Sequence, residues 1–402
     1  AKIVCGAAYA RNGSITLDSN TIEICTLSGA GYDTSTGNPD LTTNQLEVSM
    51  ALSDYVAGGG VLPIGIAILA ATQTPDELAT SLAQMTGEVA TGIAPTGVQS
   101  MNAFLDTVMK SGRGPRLAKA APRDEGIPHG LVREDINGIY TGKYGTEKTQ
   151  PAAPALVYPA IGQPSVWDVW ASGYGSHNVT KGDINLGWHE RTSDTKGIAF
   201  GVNMSPSFGN NIGFAVSWNN SNFTLGDSFG NGSSDSVFVA LHGRTSTDRA
   251  YVEGAIAYGR SNVSTARSVT IAGVDRLLGE TNADSFAGNI EAGYHMGIFT
   301  PFAGLRAQTY TTNAFSETAE SGSASYALRY DENTMTSVRS ELGVDILWPA
   351  GPVGAGTPTF GLRAAWAHEF SSDELGTRSF LTVPDAVFSA SGAKRDRDSI
   401  IL

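Results

Sequence analysis

The sequence is short of cysteine, of long apolar runs and of positive charge. Only Cys5 and Cys25 are present, which rules out a disulfide-dense scaffold and a metal cluster built on thiolates. The pair could form one disulfide in an oxidising compartment or remain two unrelated thiols. The longest apolar run, "VLPIGIAILAA" at 61–71, is too short for a transmembrane helix, which needs about 20 residues. Lys and Arg number 26 against 39 Asp and Glu, for a net charge of −13. That balance argues against a nucleic-acid partner, which would call for a basic patch. No H-E-x-x-H or P-loop occurs. The six histidines (His129, His177, His189, His242, His295, His368) are scattered. No catalytic residue, metal or cofactor is expected, and the chain does not read as an enzyme.

What is abundant is glycine, 48 residues against about 28 at average usage. Residues 1–41 mix short β-prone runs with Gly, Asn and Asp turns, too little to fold alone. Helical periodicity begins at 42. Asn44 and Glu47 have capping-box spacing, and Val48, Leu52 and Tyr55 form a stripe that ends at Gly58-Gly59-Gly60. A second helix opens with Thr74 as cap and Pro75 in its first turn. Leu78, Leu82, Met85, Val89 and Ile93 keep to one face. Pro95 is expected to interrupt it before Val98, Met101, Leu105 and Val108 resume the pattern. Residues 111–166 hold seven of the 17 prolines and read as a linker.

From Val169 the period is two. Ile198, Phe200, Val202 and Met204 alternate with Ala199, Gly201 and Asn203, and about nine such strands follow one another to Phe370. Their connections alternate in length. "SPSFGN", "RTSTDR" and "GIFTP" are short, whereas "NSNFTLGDSFGNGSSD", "SNVSTARSVTIAGVDRLLGETNAD" and "NAFSETAESGSASYALRYDENTM" are long. In an up-and-down arrangement this puts tight turns on one rim and long loops on the other, as in outer-membrane barrels.

The segment "SVRSELGVDILW" at 337–348 sets Val338, Leu342, Val344, Ile346 and Trp348 on one face and Arg339, Glu341 and Asp345 on the other. Glu253, Glu291, Arg306, Gln308, Arg363 and Glu369 share the ionised parity of their own strands. Facing lipid at the midplane, an Arg would cost roughly 2–4 kcal/mol. The ionised face is therefore expected to line a hydrated lumen and the apolar face to meet lipid, with Trp218, Trp348 and Phe370 near the strand ends as an aromatic girdle. A transmembrane sheet must close to satisfy its edges. The strands counted here, with a fragment at "DSIIL", are too few to do so, and the expectation is a chain truncated at its C-terminus. It begins at Ala1 without Met or export signal, as a mature product or a piece of something longer would.

"VWASGYGS" at 169–176, "FAGLRAQTYTTNAFSE", "YDENTMTSVRSELGVDI" and "LRAAWAHEF" resemble the β-domain of type V autotransporters. "NQLEVSMALSDYVAGGGVLP" and "LATSLAQMTGEVATGIAPTGVQSMNAFLDTVM" resemble the helical region that precedes that barrel. The resemblance implies a mainly β fold, a transmembrane antiparallel up-and-down barrel of the twelve-stranded family. It divides the chain into a passenger remnant at 1–41, a helical pre-barrel region at 42–110, a Pro-rich linker at 111–166 and an incomplete barrel at 167–402. It also implies outer-membrane lipid, the barrel-assembly machinery and the chain's own passenger segment in the lumen as partners, with the passenger at the cell surface. Either the 75–110 helix or the linker could thread the pore. The lumen residues named above would be structural or passenger-contacting. A porin-like or adhesin barrel is the alternative, and a soluble β-rich binding protein with an acidic exterior a third. Some passengers of this family cleave themselves at an Asn pair in the threading helix. Here "NN" occurs only at 210–211 and 219–220, within the barrel.

Overall fold

The computed structural model describes residues 2–4, 21–23, 41–112, 139–142, 145–148, 167–207, 209–349, 359–371, 376–394 and 396–402. Cys5 and Cys25 lie outside them, as does most of the 111–166 segment. In chain order the strands are β1 (Lys2–Val4), β2 (Thr21–Glu23), β3 (Ile139–Gly142), β4 (Gly145–Lys148), β5 (Trp167–Thr180), β6 (Arg191–Met204), β7 (Asn210–Leu225), β8 (Gly230–Ser246) and β9 (Ala250–Val269). They continue as β10 (Asp275–Tyr294), β11 (Phe299–Thr312), β12 (Phe315–Ser321), β13 (Leu328–Tyr330), β14 (Asn333–Pro349), β15 (Thr359–Glu369), β16 (Gly376–Phe380), β17 (Val383–Ala390) and β18 (Asp398–Ile401). The helices are α1 (Thr43–Ala57), α2 (Ile64–Thr72), α3 (Pro75–Met85) and α4 (Ile93–Gly112).

Antiparallel neighbours run β5–β6–β7–β8–β9–β10–β11–β14–β15. Beyond β15 the pairing passes to β18, then to the β3–β4 hairpin, and returns to β5 through Lys148 and His177. Residues read as linker therefore supply two short strands where the sequence reading left an open edge. Any edge left in hydrocarbon would carry unpaired backbone groups, which is the physical pressure for such pairing.

Two connections read as long loops are strand instead. β7 and β8 turn at 226–229, and β9 and β10 at 270–274. Each of the latter strands has 20 residues, where 9–11 tilted residues would cross a bilayer. Their distal halves face outward to solvent and inward to the helical cap and the start of α4, where Ser261, Thr265 and Arg267 are buried beside Val263 and Val269. Ser, Thr, Asn and Arg therefore occupy both parities, and the alternating signal fades while the hydrogen-bond ladder continues. Two excursions from the same rim, carrying β12–β13 and β16–β17, extend from the start of β10 as a side sheet in the order β12–β13–β16–β17.

The first three helices cover that side sheet. Val48 and Leu52 of α1, Ile66 and Leu69 of α2 and Leu82 and Met85 of α3 pack on Leu277, Tyr326, Leu328, Phe380 and Phe388 in one buried cluster. Helix α1 starts two residues earlier than its sequence suggests, with Thr42 rather than Asn44 as its cap. The Gln45 side chain accepts from the Thr42 N–H at 2.8 Å, and Asn44 instead bonds the Gly187 and Ser391 carbonyls. The expected break at Pro95 falls at Gly87 (φ 63°), whose left-handed backbone suits glycine and ends α3. Pro95 lies in the first turn of α4, where its missing N–H costs nothing.

Candidate functional site

Helix α4 runs inside the barrel. Its upper half sets Ile93, Ala94 and Val98 against Phe223, Val263, Tyr310 and Met335. Its lower half packs Met101, Phe104, Leu105 and Val108 on Trp170, Tyr174, Phe238 and a floor of Ala199, Ala215, Ala240, Ala255, Ala257 and Ala287. The Phe104 ring lies 5.6 Å from that of Phe238. Small inward side chains on β5–β10 make the room, so this side of the lumen is dry rather than the uniformly hydrated face expected from parity. Burying each of the large side chains contributes roughly 1.5–3 kcal/mol. The helix ends near the rim of short turns, where the Asn203 amide donates to the Ser111 carbonyl at 3.3 Å.

Polar contacts fix the rotation of α4. Ser100 Oγ donates to Asn219 Oδ1 at 2.7 Å, and Gln99 bridges Ser176 (3.0 Å) and Ser193 (2.7 Å). On the opposite wall the Arg306 guanidinium donates to Asn102 Oδ1 at 2.9 Å and to Asp106 Oδ1 at 2.6 Å, and Gln308 donates to Asn102 Oδ1 at 3.1 Å. Asn102 and Asp106 are one turn apart on one helix face. Nothing in the sequence singles them out, because only the position of α4 in the pore gives them a partner.

The other candidate lumen residues gather on β9, β10, β14 and β15. Arg363 reaches Glu291 at 2.5 Å, Asp345 at 3.5 Å and Glu341 at 3.8 Å, and lies 3.6 Å from the Phe302 ring centre. Arg339 pairs with Glu341 at 2.5 Å, and Tyr251 donates to Glu291 at 2.6 Å. Glu253 is paired by Arg244, which stacks over Tyr251. Two like-charge oppositions are built into the register, Glu253 beside Glu291 and Arg306 beside Arg339, which alone would destabilise. Arg244 and Arg363 relieve the first; Asp106 and Glu341 relieve the second. Glu369 differs from the rest: it accepts from Ser337 and from the Val338 N–H, both at 2.8 Å, and joins no ion pair among the described residues. Tyr251, Phe302 and Arg244 were missed because nothing separates them from ordinary strand residues until the register is known. No group of three or more His, Cys, Asp or Glu is placed to hold a metal ion among the described residues.

A barrel with apolar residues outside, ion pairs within and a chain segment through its centre has few homes. A family model, the autotransporter beta-domain, matches residues 169–402. The chain belongs to the autotransporter family. Among solved structures it is similar to the translocator domain of autotransporter NalP from Neisseria meningitidis, at 13% identity and a TM-score of 0.41, over 60% of this chain and 86% of that one. It is also similar to the β-domain of the Bordetella autotransporter BrkA, at 14% identity and a TM-score of 0.40, over 59% and 97%. Comparison with curated proteins finds no match.

The autotransporter β-domain is an outer-membrane translocator that anchors its own N-terminal passenger and helps export it to the cell surface; it is not a catalytic module. The rim of short turns is then periplasmic and the long-strand rim external, and α4 descends through the pore from the helical cap outside. Two arginines clamp the chain where it enters. Arg267 forms a two-point pair with Glu317, both at 2.7 Å, and donates to the Gln84 and Tyr326 carbonyls. Arg378 donates to the Thr86, Gly87 and Ala390 carbonyls. Together they satisfy carbonyls at the α3 C-terminus and the turn beyond it, which would otherwise be buried without partners. Tyr330, hydrogen-bonded to Glu317 at 2.9 Å, has its phenol pushed above the usual value by burial. Below them Glu88 accepts from the His189 N–H at 2.8 Å and from its ring at 2.6 Å.

Proposed function

We propose that α4 is the passenger-linked segment at rest in the pore and that Arg306 and Gln308 are the wall groups that hold it there. The observation that carries this is their convergence on Asn102 and Asp106. Wall residues that served only the barrel would have no need of acceptors on a helix. Glu253, Glu291, Arg339, Glu341, Asp345 and Arg363 pair within the wall, and Glu369 accepts hydrogen bonds from it, without turnover chemistry. In this reading residues 1–41 belong to the passenger side, 42–110 form the pre-barrel helices, 111–166 link them to the barrel, and 167–402 form the membrane domain. The whole protein acts by display rather than catalysis, with no nucleic-acid partner. It sits in outer-membrane lipid and is inserted by the barrel-assembly machinery.

Planar-bilayer conductance tests the seating. The full chain should give a small, rarely fluctuating current. Arg306→Ala/Gln308→Ala should flicker to larger openings, and deletion of 93–112 should hold a large opening continuously. Identical currents from all three proteins would mean that α4 does not plug the pore.

A further inference from the structure

The outward face of the barrel does not turn uniformly polar above its apolar belt. On β6, β7 and β8 the belt ends in one cross-strand row, Ile198–Trp218–Val237, all of them exposed. The next row outward is Lys196–Asn220–Asp235–Asn262–Asn282, in direct register across five neighbouring strands. On β9 and β10 the belt stops one row lower, at Tyr258 and Phe286, and Arg260 and Asp284 take the first polar position. This stepwise descent follows from strand tilt, since a row perpendicular to tilted strands crosses the membrane surface at an angle. The polar residues thus lie at one height, directly outside the hydrocarbon.

A concavity of about 910 Å³ opens at this height, lined by Lys196, Asn220, Asn222 and Asp235, with Trp218 and Ile198 on its membrane side. No residue of α4 lines it, so it faces outward rather than into the lumen. Its polar groups are held in place. Asn222 donates to Asn220 Oδ1 at 2.8 Å and Asn220 donates to Asp235 Oδ1 at 2.9 Å. His177 Nδ1 lies 2.7 Å from Asp194 Oδ1 in the same lining, and on the strands beside the groove Arg260 pairs with Asp284 at 3.5 Å.

We infer that this groove binds the saccharide head group of an outer-leaflet glycolipid whose acyl chains lie along the belt below. Three features select that occupant. The groove is continuous with the lipid-facing surface, so its ligand is presented by the membrane itself. With two carboxylates, Asp194 and Asp235, to the one ammonium of Lys196, it offers no positive patch, which suits a polyhydroxylated head group better than a polyanionic one. Amide, carboxylate and ammonium groups repeat along the row every ~4.8 Å, the strand spacing, and so offer alternating donors and acceptors to successive hydroxyls. Trp218 offers an apolar ring against which the face of a sugar can lie.

The test uses the full chain taken from outer membranes. Wild-type protein should retain glycolipid through detergent purification, and Lys196→Ala/Asn220→Ala/Asp235→Ala should retain at least about tenfold less, since three polar contacts are removed. A control triple farther out on the same face, Asn231→Ala/Ser264→Ala/Ser268→Ala, should retain the wild-type amount. Free head-group saccharide should displace the bound lipid, and phosphatidylglycerol vesicles should not. Hydroxyl-radical footprinting of the wild-type chain needs no variant and guards against a triple substitution that fails to insert. Trp218 and His177 should be protected in bilayers containing glycolipid and not in pure phospholipid. Equal retention by all three proteins, displacement by phosphatidylglycerol, or equal labelling in both bilayers would each overturn the assignment.

Discussion

Gly97 shows how closely α4 fits its pore. A Cβ at this position would lie 2.0 Å from the Tyr310 ring, which is itself buried in the wall. Glycine inside a helix ordinarily costs roughly 0.5–1 kcal/mol relative to alanine, so an isolated peptide of this segment should gain helicity from Gly97→Ala. In the barrel the outcome should reverse, with a loss of about 1–3 kcal/mol from overpacking. Circular dichroism of the peptide, set against thermal unfolding of the barrel in detergent, reads both signs. Arg306→Ala makes a complementary case. It strands Asp106, whose side chain is 16% exposed, with Lys110 and Arg339 still near enough to attract it. Breaking a fully buried pair costs about 3–5 kcal/mol; partial hydration and those neighbours should hold the loss to about 1–3 kcal/mol. Arg306→Leu/Asp106→Leu should recover part of it in a double-mutant cycle, because no charge is then left alone.

Among the elements, the external cap is held to the barrel by side chains that serve backbone more than one another. Arg267 joins β9 to Glu317 of β12 and to the end of α3, with both charges almost fully buried. Arg267→Ala would leave Glu317 and the Gln84 carbonyl without this partner, and should cost about 3–5 kcal/mol. Hydrogen exchange should then quicken in α3 and the turn at Gly87 while β6–β8 stay protected. Arg378→Lys should behave similarly on a smaller scale, since one ammonium cannot span carbonyls that a planar guanidinium reaches together. Helices α1 and α3 of this cap were legible in the sequence, but their docking on the side sheet was not. The pattern from Thr74 to Ser111 does show amphipathic helix, and the Thr74 cap forms as its spacing suggests, with Glu77 accepting from the Thr74 N–H at 2.8 Å. The short runs at 315–321 and 376–390 give no warning, because strands this short pair only once the excursions fold back. The membrane-spanning part of each strand was legible from alternation alone. The distal halves of β9 and β10 were not, for Ser261, Thr265 and Arg267 on the buried face match Arg260, Asn262 and Ser264 on the exposed one and remove the contrast that alternation measures.

For the molecule as a whole, the decisive fact is that one alternating pattern meets two solvents. The outward face keeps Ile, Val, Leu and Phe exposed, as with Ile256 at 64% and Phe286 at 61%, because lipid rather than water covers them. The inward face was legible as polar on β11, β14 and β15, where ion pairs cluster. It was misread on β5–β8 and beside Ala255, Ala257 and Ala287 of β9 and β10, where small residues mark space reserved for a helix that is remote in sequence. Two neighbouring residues of β7 can separate the two surfaces. Val216 points outward within the belt, and Ser217 points inward, fully buried, with its Oγ 2.6 Å from the Tyr174 hydroxyl. Val216→Arg places a guanidinium in hydrocarbon at a cost of roughly 2–4 kcal/mol near the midplane. Ser217→Arg places the same group beside Phe104 and the alanine floor, where it can stay only by pushing α4 aside. The outward variant should lower the yield of folded, heat-modifiable barrel in outer membranes and leave the current of molecules that do insert unchanged. The inward variant should insert at near wild-type yield and conduct as though the helix were missing. If both variants lost insertion equally, the inward face of β7 would have to be treated as sealed core, and the helix as part of the barrel's fold rather than a segment seated within it.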